Sequence, residues 1–481
     1  MNYKMILNII GSVLKIEAGC MTLPLICALI YSEKGDCYSF LITIALCLLI
    51  GLLLTVQQPE NKEMYAKEGF VTVALCWITI SFFGSLPFVF SGNIPGIIDA
   101  FFETASGFST TGASILTDIE ALSKSALMWR SFTHWLGGMG VLVFLMAILP
   151  MAGGGSIHIL KAESPGPSVG KLVPKVRTTA LLLYTIYIAF TILHTILLLF
   201  DGLSLYESLT ISFGTAGTGG FAIKNSGFAD YSPYVQYLTT IFMIMYGIDF
   251  SLYYMLFFKE RKAFLKSTEL KVYIGIIALS VLCIFINTKA YGVFATNEEG
   301  FRHTFFTVGS IITTTGFATA DFNLWPALSQ TIIVVLMFIG ACAGSTGGGI
   351  KVSRVIILLK SIVKEIRTSA HPRTTLKIKM NGRLVEHETV RGVNVFMASY
   401  VVIFITAILI ISLDNFDFTT NFTAIAATIN NIGPGLSVVG PTGNFAAFSG
   451  LSKLVMSFCM LAGRLELFPM LLLFSPYTWK K

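Results

Sequence analysis

Four short polar stretches, each holding glycine and each lying between apolar segments, constrain this chain more than anything else in it. They are STTGAS (109–114), AGTGGF (216–221), TTTGFA (313–318) and NNIGPG (430–435). Aligned on one glycine apiece, they bring Gly112, Gly219, Gly316 and Gly433 into register. The preceding pairs are Thr110-Thr111, Gly217-Thr218, Thr314-Thr315 and Asn431-Ile432. One unit repeated four times, each offering bare backbone at the same place, predicts four walls around one axis. A ring of backbone carbonyls is a way to replace the hydration shell of a small cation. Glycine lets the chain come close to such an ion, and a short helix ending there aims its negative end at it. A single Gly-rich turn between membrane helices carries no such message; four in register do.

The composition places those stretches in a membrane. Hydrophobic residues make up 54% of the chain and charged residues 12%, where a soluble domain carries about 25% charged. Mean hydropathy is +0.76, and many apolar runs reach the ~20 residues needed to cross a bilayer. The run from about 5 to 31 is too long for a cleaved leader and reads as a retained helix. The eight cysteines show no metal-ligand spacing and read as small buried hydrophobes. A net charge of +7 invites a nucleic-acid reading, but its distribution opposes one. Lys and Arg collect in alternate loops (161–177, 259–271, 351–391), and the intervening loops are acidic or neutral. That is the positive-inside pattern, which puts the basic loops and both termini in the cytoplasm, with the lipid bilayer as partner and no nucleic acid.

The order of segments is regular. Two leading helices (1–58) precede four units at 69–150, 177–258, 270–367 and 392–475, with a basic cytoplasmic loop at 368–391. Each unit reads as an apolar span, a short helix, the Gly stretch and a second span. The short helices fall at about 97–109, 204–216, 301–313 and 419–430. They cannot span, and irregular backbone after them is tolerable at membrane depth only if it is buried or lines water. The residue seven before each aligned Gly is small (Ala105, Ser212, Gly309, Ala426). Ten crossings result, so the termini share a side. The fold class is an all-α integral membrane protein, two N-terminal helices followed by four helix–pore-helix–filter–helix repeats around a pseudo-fourfold pore.

With TTGAS in the first stretch and NNIGPG in the last, the chain resembles the Trk/Ktr/HKT superfamily of potassium and sodium transporters over nearly its whole length. The two leading helices favour the longer Trk-type members over the shorter Ktr subunits. The resemblance implies uptake of K+ through a gated, channel-like pore, with the ion bound at Thr110, Thr111, Gly112, Gly217, Thr218, Gly219, Thr314, Thr315, Gly316, Asn431, Ile432 and Gly433. Glycine in all four filters goes with potassium selectivity in that superfamily. A Na+- or H+-coupled potassium symporter is the alternative. The resemblance also implies a bacterial inner-membrane homodimer served by a cytosolic ring of nucleotide-binding RCK subunits, TrkA-like, with no nucleotide site in this chain and no enzymatic activity. The Asn431-Ile432 pair departs from Thr-x-Gly and leaves fewer hydroxyls on the fourth wall.

The second span of the third unit is interrupted by AGSTGGG (343–349), too rich in glycine for a comfortable helix. It is not a phosphate loop, because Ile350 stands where lysine must be and no strand precedes it. A hinge is one reading. The other, which the resemblance supports, is a plug below the filter made of Gly344, Ser345, Thr346, Gly347, Gly348 and Gly349, with Lys351 and Arg354 on the cytoplasmic half-helix. Arg464, inside the last span, is costly unless it faces a cavity or partner; it reads as a pore-facing barrier to cations. Glu466, two residues on, points elsewhere. Asp249 lies within a span as a possible polar partner. Glu103 and Glu207 are candidates for concentrating cations at the mouth, with capping or packing as alternatives. Arg130, His134 and Trp135 read as anchors at the membrane interface.

Overall fold

Hydroxyl and carboxylate caps mark where the helices begin. Ser123, Ser204, Ser232, Ser267, Thr296, Asp417 and Ser449 each accept a backbone N–H from the turn that follows, satisfying a donor that the helix leaves unpaired. The structure is a computed structural model describing residues 1–56, 65–140, 176–258, 261–373 and 376–480. The end of the first unit (141–150) and the basic loop at 161–175 lie outside the described residues.

The leading run forms Tyr3–Cys20 and Thr22–Ile30. The interruption at Met21 follows from Pro24, which has no N–H to return to the preceding turn. This run pairs with Lys34–Thr55 through a contact between two glycines: a Cβ on Gly11 would lie 2.8 Å from the Gly51 carbonyl oxygen, and the converse distance is the same. Small residues of this kind let membrane helices approach closely.

Each of the four units opens with a long helix: Ala66–Ser91, Val176–Leu199, Thr268–Ala290 and His387–Ile411. A short helix follows: Ile97–Phe108, Leu205–Gly217, Asn297–Ile312 and Phe418–Ile429. The third of these starts four residues before the expected boundary. Thr296 caps it, and Glu298 and Glu299 sit in its first turn, where negative charge complements the helix dipole. The second helices are Lys124–Gly138, Pro233–Tyr246, Ala327–Ile339 and Gly450–Arg464.

Among the described residues six helices are long and apolar enough to cross unaided, namely the two leading spans and the first helix of each unit. The second helices stop short. The expected continuous span at 234–258 turns by 92° between Pro233–Tyr246 and Phe250–Phe257. The last span stops at Arg464 and resumes at Phe468, with Glu466 and Leu467 at positive φ. Lys124–Gly138 ends beside Gly140, also at positive φ. Interruption is therefore not peculiar to the third unit; among the described residues the second and fourth units break as well, over fewer residues. The basic loop holds a two-residue antiparallel ladder, Lys379 opposite Leu384 and Met380 opposite Arg383, which its charge pattern does not announce. The eight cysteines are unpaired, and Cys27, Cys47, Cys76, Cys342 and Cys459 are buried, so the fold rests on packing.

Candidate functional site

All four short helices end in the same way. Thr110, Thr218, Thr314 and Asn431 take left-handed conformations with φ of 57°, 54°, 59° and 57°. Their N–H groups donate to Gly107, Thr215, Ile311 and Thr428, three residues back. The next residues, Thr111, Gly219, Thr315 and Ile432, donate five back to Ser106, Gly214, Ser310 and Ala427. This is the Schellman arrangement, which normally uses glycine at the left-handed position. A β-branched residue there is an outlier costing about 1–2 kcal/mol. Strain of this kind persists where the surrounding structure over-determines it, commonly at functional positions.

The backbone fixes the register and corrects the sequence alignment in the second unit. The left-handed glycines are Gly112, Gly220, Gly316 and Gly433, so Gly220 replaces Gly219, and the stretch is Thr218-Gly219-Gly220. Gly217 closes the short helix instead. With the register moved by one, Phe213 stands in the column of Ala105, Gly309 and Ala426, so the small column is the next one: Ser106, Gly214, Ser310 and Ala427.

The four stretches meet. A Cβ on Gly112 would collide with the Gly219 carbonyl oxygen, one on Gly220 with that of Thr315, and one on Gly316 with that of Ile432. One on Gly433 would lie 2.8 Å from that of Thr111. Each wall abuts the next in chain order and the fourth returns to the first. The walls are also pinned by side chains. Ser109 and Thr111 share a hydroxyl bond of 2.8 Å, as do Thr313 and Thr315. Thr218 Oγ1 donates to the Gly217 carbonyl at 2.6 Å. Asn431 Nδ2 donates to Thr111 Oγ1 (2.9 Å) and to the Met460 carbonyl (2.8 Å). The missing fourth-wall hydroxyl is thus replaced by an amide that ties the fourth wall to the first. On one side the four left-handed glycines open into a cavity of about 300 Å3, whose charged lining includes Lys224 and Asp321.

Two buttresses lie outside the expected site. Glu103 and Arg130 form a buried ion pair at 2.8 Å with both side chains almost wholly enclosed. Arg130 also donates to the Ala222 carbonyl at 3.3 Å and lies over the Phe221 ring. Glu103 takes the Ser114 hydroxyl and the Ile115 N–H. The pair therefore joins the first short helix to the segments after the first and second stretches, and neither residue serves as a mouth charge or an interface anchor. His134 is equally buried. Its Nε2 accepts the Phe221 N–H at 3.2 Å, which leaves the proton on Nδ1 to donate to the Gly107 carbonyl at 2.8 Å. Trp135 is half-buried, its indole N–H on the Thr191 hydroxyl. Glu207 caps its own helix through Ser204 and sits 3.7 Å from Lys224. Replacing Glu103 by alanine strands the guanidinium, which costs about 3–5 kcal/mol. Thermal unfolding of the detergent-purified variant reads this as a large fall in Tm, whereas losing the half-buried, solvent-accessible Glu207–Lys224 pairing costs about 1 kcal/mol or less.

The 343–349 loop lies against the ring. Gly348 donates its N–H to Thr314 Oγ1 at 2.6 Å. A Cβ on Gly347 would lie 2.8 Å from the Thr313 carbonyl oxygen, and one on Gly348 would lie 2.9 Å from Asn431 Cβ. Cations hold the loop's own carbonyls. Lys351 Nζ donates to Gly347, and Arg464 Nη1 donates to Thr346 at 2.7 Å. Arg464 Nη2 reaches Gly137 and Gly138, each at 2.6 Å, so one guanidinium links units four, three and one. Glu269 pins both ends of the loop, its Oε1 accepting the N–H of Ala343 (2.8 Å) and of Ser353 (2.9 Å). Asp249 accepts the Ser251 N–H at 2.8 Å and so closes the turn at the 92° bend, against which the loop also rests through Phe250 N–H to the Gly344 carbonyl. Glu466 pairs with Arg354. Glu269 escapes sequence reasoning because its two partners lie far away in the chain.

Known proteins resemble this chain in sequence and in overall fold. Residues 38–481 match the family model TrkH, described as a cation transport protein. The chain is 34% identical to the Trk system potassium uptake protein TrkH of Salmonella typhimurium and to that of Escherichia coli, covering 100% of both chains in each case. It is 30% identical to TrkG of Escherichia coli, over 95% of this chain and 94% of the relative. The crystal structure of the potassium transporter TrkH from Vibrio parahaemolyticus superposes with a TM-score of 0.90 at 30% identity, covering 100% of both chains. By sequence and by fold, the chain belongs to the TrkH family of cation transport proteins.

Proposed function

We propose that this protein takes up K+ through a gated pore whose selective element is the ring formed by Thr110–Gly112, Thr218–Gly220, Thr314–Gly316 and Asn431–Gly433. The observation that carries this reading is the closed circuit of glycine against neighbouring carbonyl, which leaves no room for a side chain at any of the four positions. Neutral carbonyl dipoles suit an ion that must bind and leave again. The chain's relatives are transport proteins and not enzymes, and their names supply potassium as the transported ion.

In this reading the 343–349 loop and Arg464 form the gate, and a fixed guanidinium next to the loop opposes cation passage. The basic loops face the cytoplasm, so the membrane potential drives entry at ~2.3 kcal/mol per 100 mV per charge. A homodimer served by a cytosolic nucleotide-binding regulator fits the basic 351–391 surface. Purified protein in liposomes is expected to admit 86Rb+ down its gradient without added Na+ or a proton gradient. Uptake that requires either one overturns the channel-like reading in favour of coupled symport.

A further inference from the structure

Glu17 is buried in the leading hairpin, 3% exposed, and among the described residues neither carboxyl oxygen has a hydrogen-bond partner. It lies within the membrane span that begins at Tyr3. Its Oε1 faces Gly84 of the first unit's long helix. A Cβ on Gly84 would lie 3.1 Å from that oxygen, 2.8 Å from the Phe108 ring and 2.9 Å from Thr104 Cγ2. The carboxyl, Gly84 and the end of the first pore helix therefore meet at one point, and Phe108 stands two residues before the strained Thr110. The titratable groups around it include the thiols of Cys20 on its own helix and Cys47 on the second span. Gly84, Thr104 and Phe108, which face it from the other elements, do not titrate. Among the described residues no Lys, Arg or His hydrogen-bonds to it. An ionised carboxylate with neither donor nor counter-charge is not sustained in such a place.

We infer that Glu17 is a proton-binding site through which the leading hairpin is coupled to the first wall of the filter. This goes beyond the potassium-uptake reading. With the proton on, the carboxyl packs neutrally against Gly84. With the proton off, the charge needs water or a donor, so Tyr3–Cys20 must part from Gly84, which releases Thr104 and Phe108 at the base of the first stretch. The proton exchanges with solvent and no other group changes its covalent state.

The test has two arms on the full-length protein. In liposomes, wild-type 86Rb+ flux is expected to change several-fold between about pH 5.5 and about pH 8.5, a range across which unperturbed carboxyls are already ionised. Glu17→Gln, which keeps shape and neutrality, holds the wild-type low-pH value throughout, and Glu17→Asp restores the dependence. By infrared difference spectroscopy, the C=O stretch of a protonated carboxyl is present in the wild type at neutral pH and missing in Glu17→Gln. The infrared arm needs no transport, so it tests the site whether or not Rb+ passes. A Glu17→Gln variant with the wild-type pH profile, a wild type without pH dependence, or identical infrared spectra each overturns the inference.

Discussion

Gly220→Ala abolishes Rb+ uptake, with at least a tenfold loss of liposomal flux at normal protein level. Two effects combine. Gly220 sits at φ +78°, a conformation that costs an L-residue with a side chain about 1–2 kcal/mol. The added Cβ also meets the Thr315 carbonyl oxygen and comes within 3.1 Å of the Gly316 carbonyl carbon. The oxygen must move, and it belongs to the next wall, so two walls are disturbed by one methyl group. Gly92 separates these effects. It has the same φ of +78°, with nothing among the described residues within 4 Å of a Cβ. Gly92→Ala carries the backbone strain without the collision and keeps flux within about twofold, since strain alone acts on stability. Equal losses in the two variants would show that Gly220 matters for its backbone angle and not for its place in a ring.

Arg464→Ala raises flux. The guanidinium holds three carbonyls, those of Thr346, Gly137 and Gly138, so its removal frees the loop from the fourth and first units together. It also removes a fixed positive charge. A unit charge 4 Å from a passing cation opposes it by about 4 kcal/mol at an effective dielectric of 20, enough to dominate a conduction barrier. Arg464→Lys separates charge from clamp. Lysine retains the charge but presents a point donor where arginine presents a rigid fork, so it does not reproduce the split hold of Nη1 on Thr346 and Nη2 on Gly137 and Gly138. Flux between wild type and Arg464→Ala is expected. A fall in flux for Arg464→Ala at normal membrane levels, measured by 86Rb+ uptake, contradicts a barrier role.

Membrane class, four-unit order and the position of each short helix were legible because hydropathy and the Gly stretches are local signals. The slip at Gly219 arose because AGTGGF contains three glycines, and composition alone does not choose among them. The αL residue does choose, and Thr110, Thr218 and Thr314 carry the signal: a threonine two before the glycine, which sets Gly220 and not Gly219 in line. The broken second helices were hidden for a different reason. Tyr246, Gly247 and Ile248 continue an apolar run, and the bend there is stabilised by bonds from Cys342 and Thr346, residues of another unit. Pro469 was a readable sign in the last span, since it cannot return an N–H to the preceding turn. Glu103 and Arg130 sit on separate elements, and buried pairing of that kind leaves no periodic trace.

The central claim is that four unequal walls make one selective ring. Na+ inhibition of 86Rb+ uptake in liposomes, compared among wild type, Gly112→Ser, Gly220→Ser, Gly316→Ser and Gly433→Ser, tests it most directly. The account predicts that excess Na+ barely inhibits the wild type and competes effectively in every one of the four variants that still passes Rb+. Wild-type discrimination preserved in any conducting member of the set would contradict it.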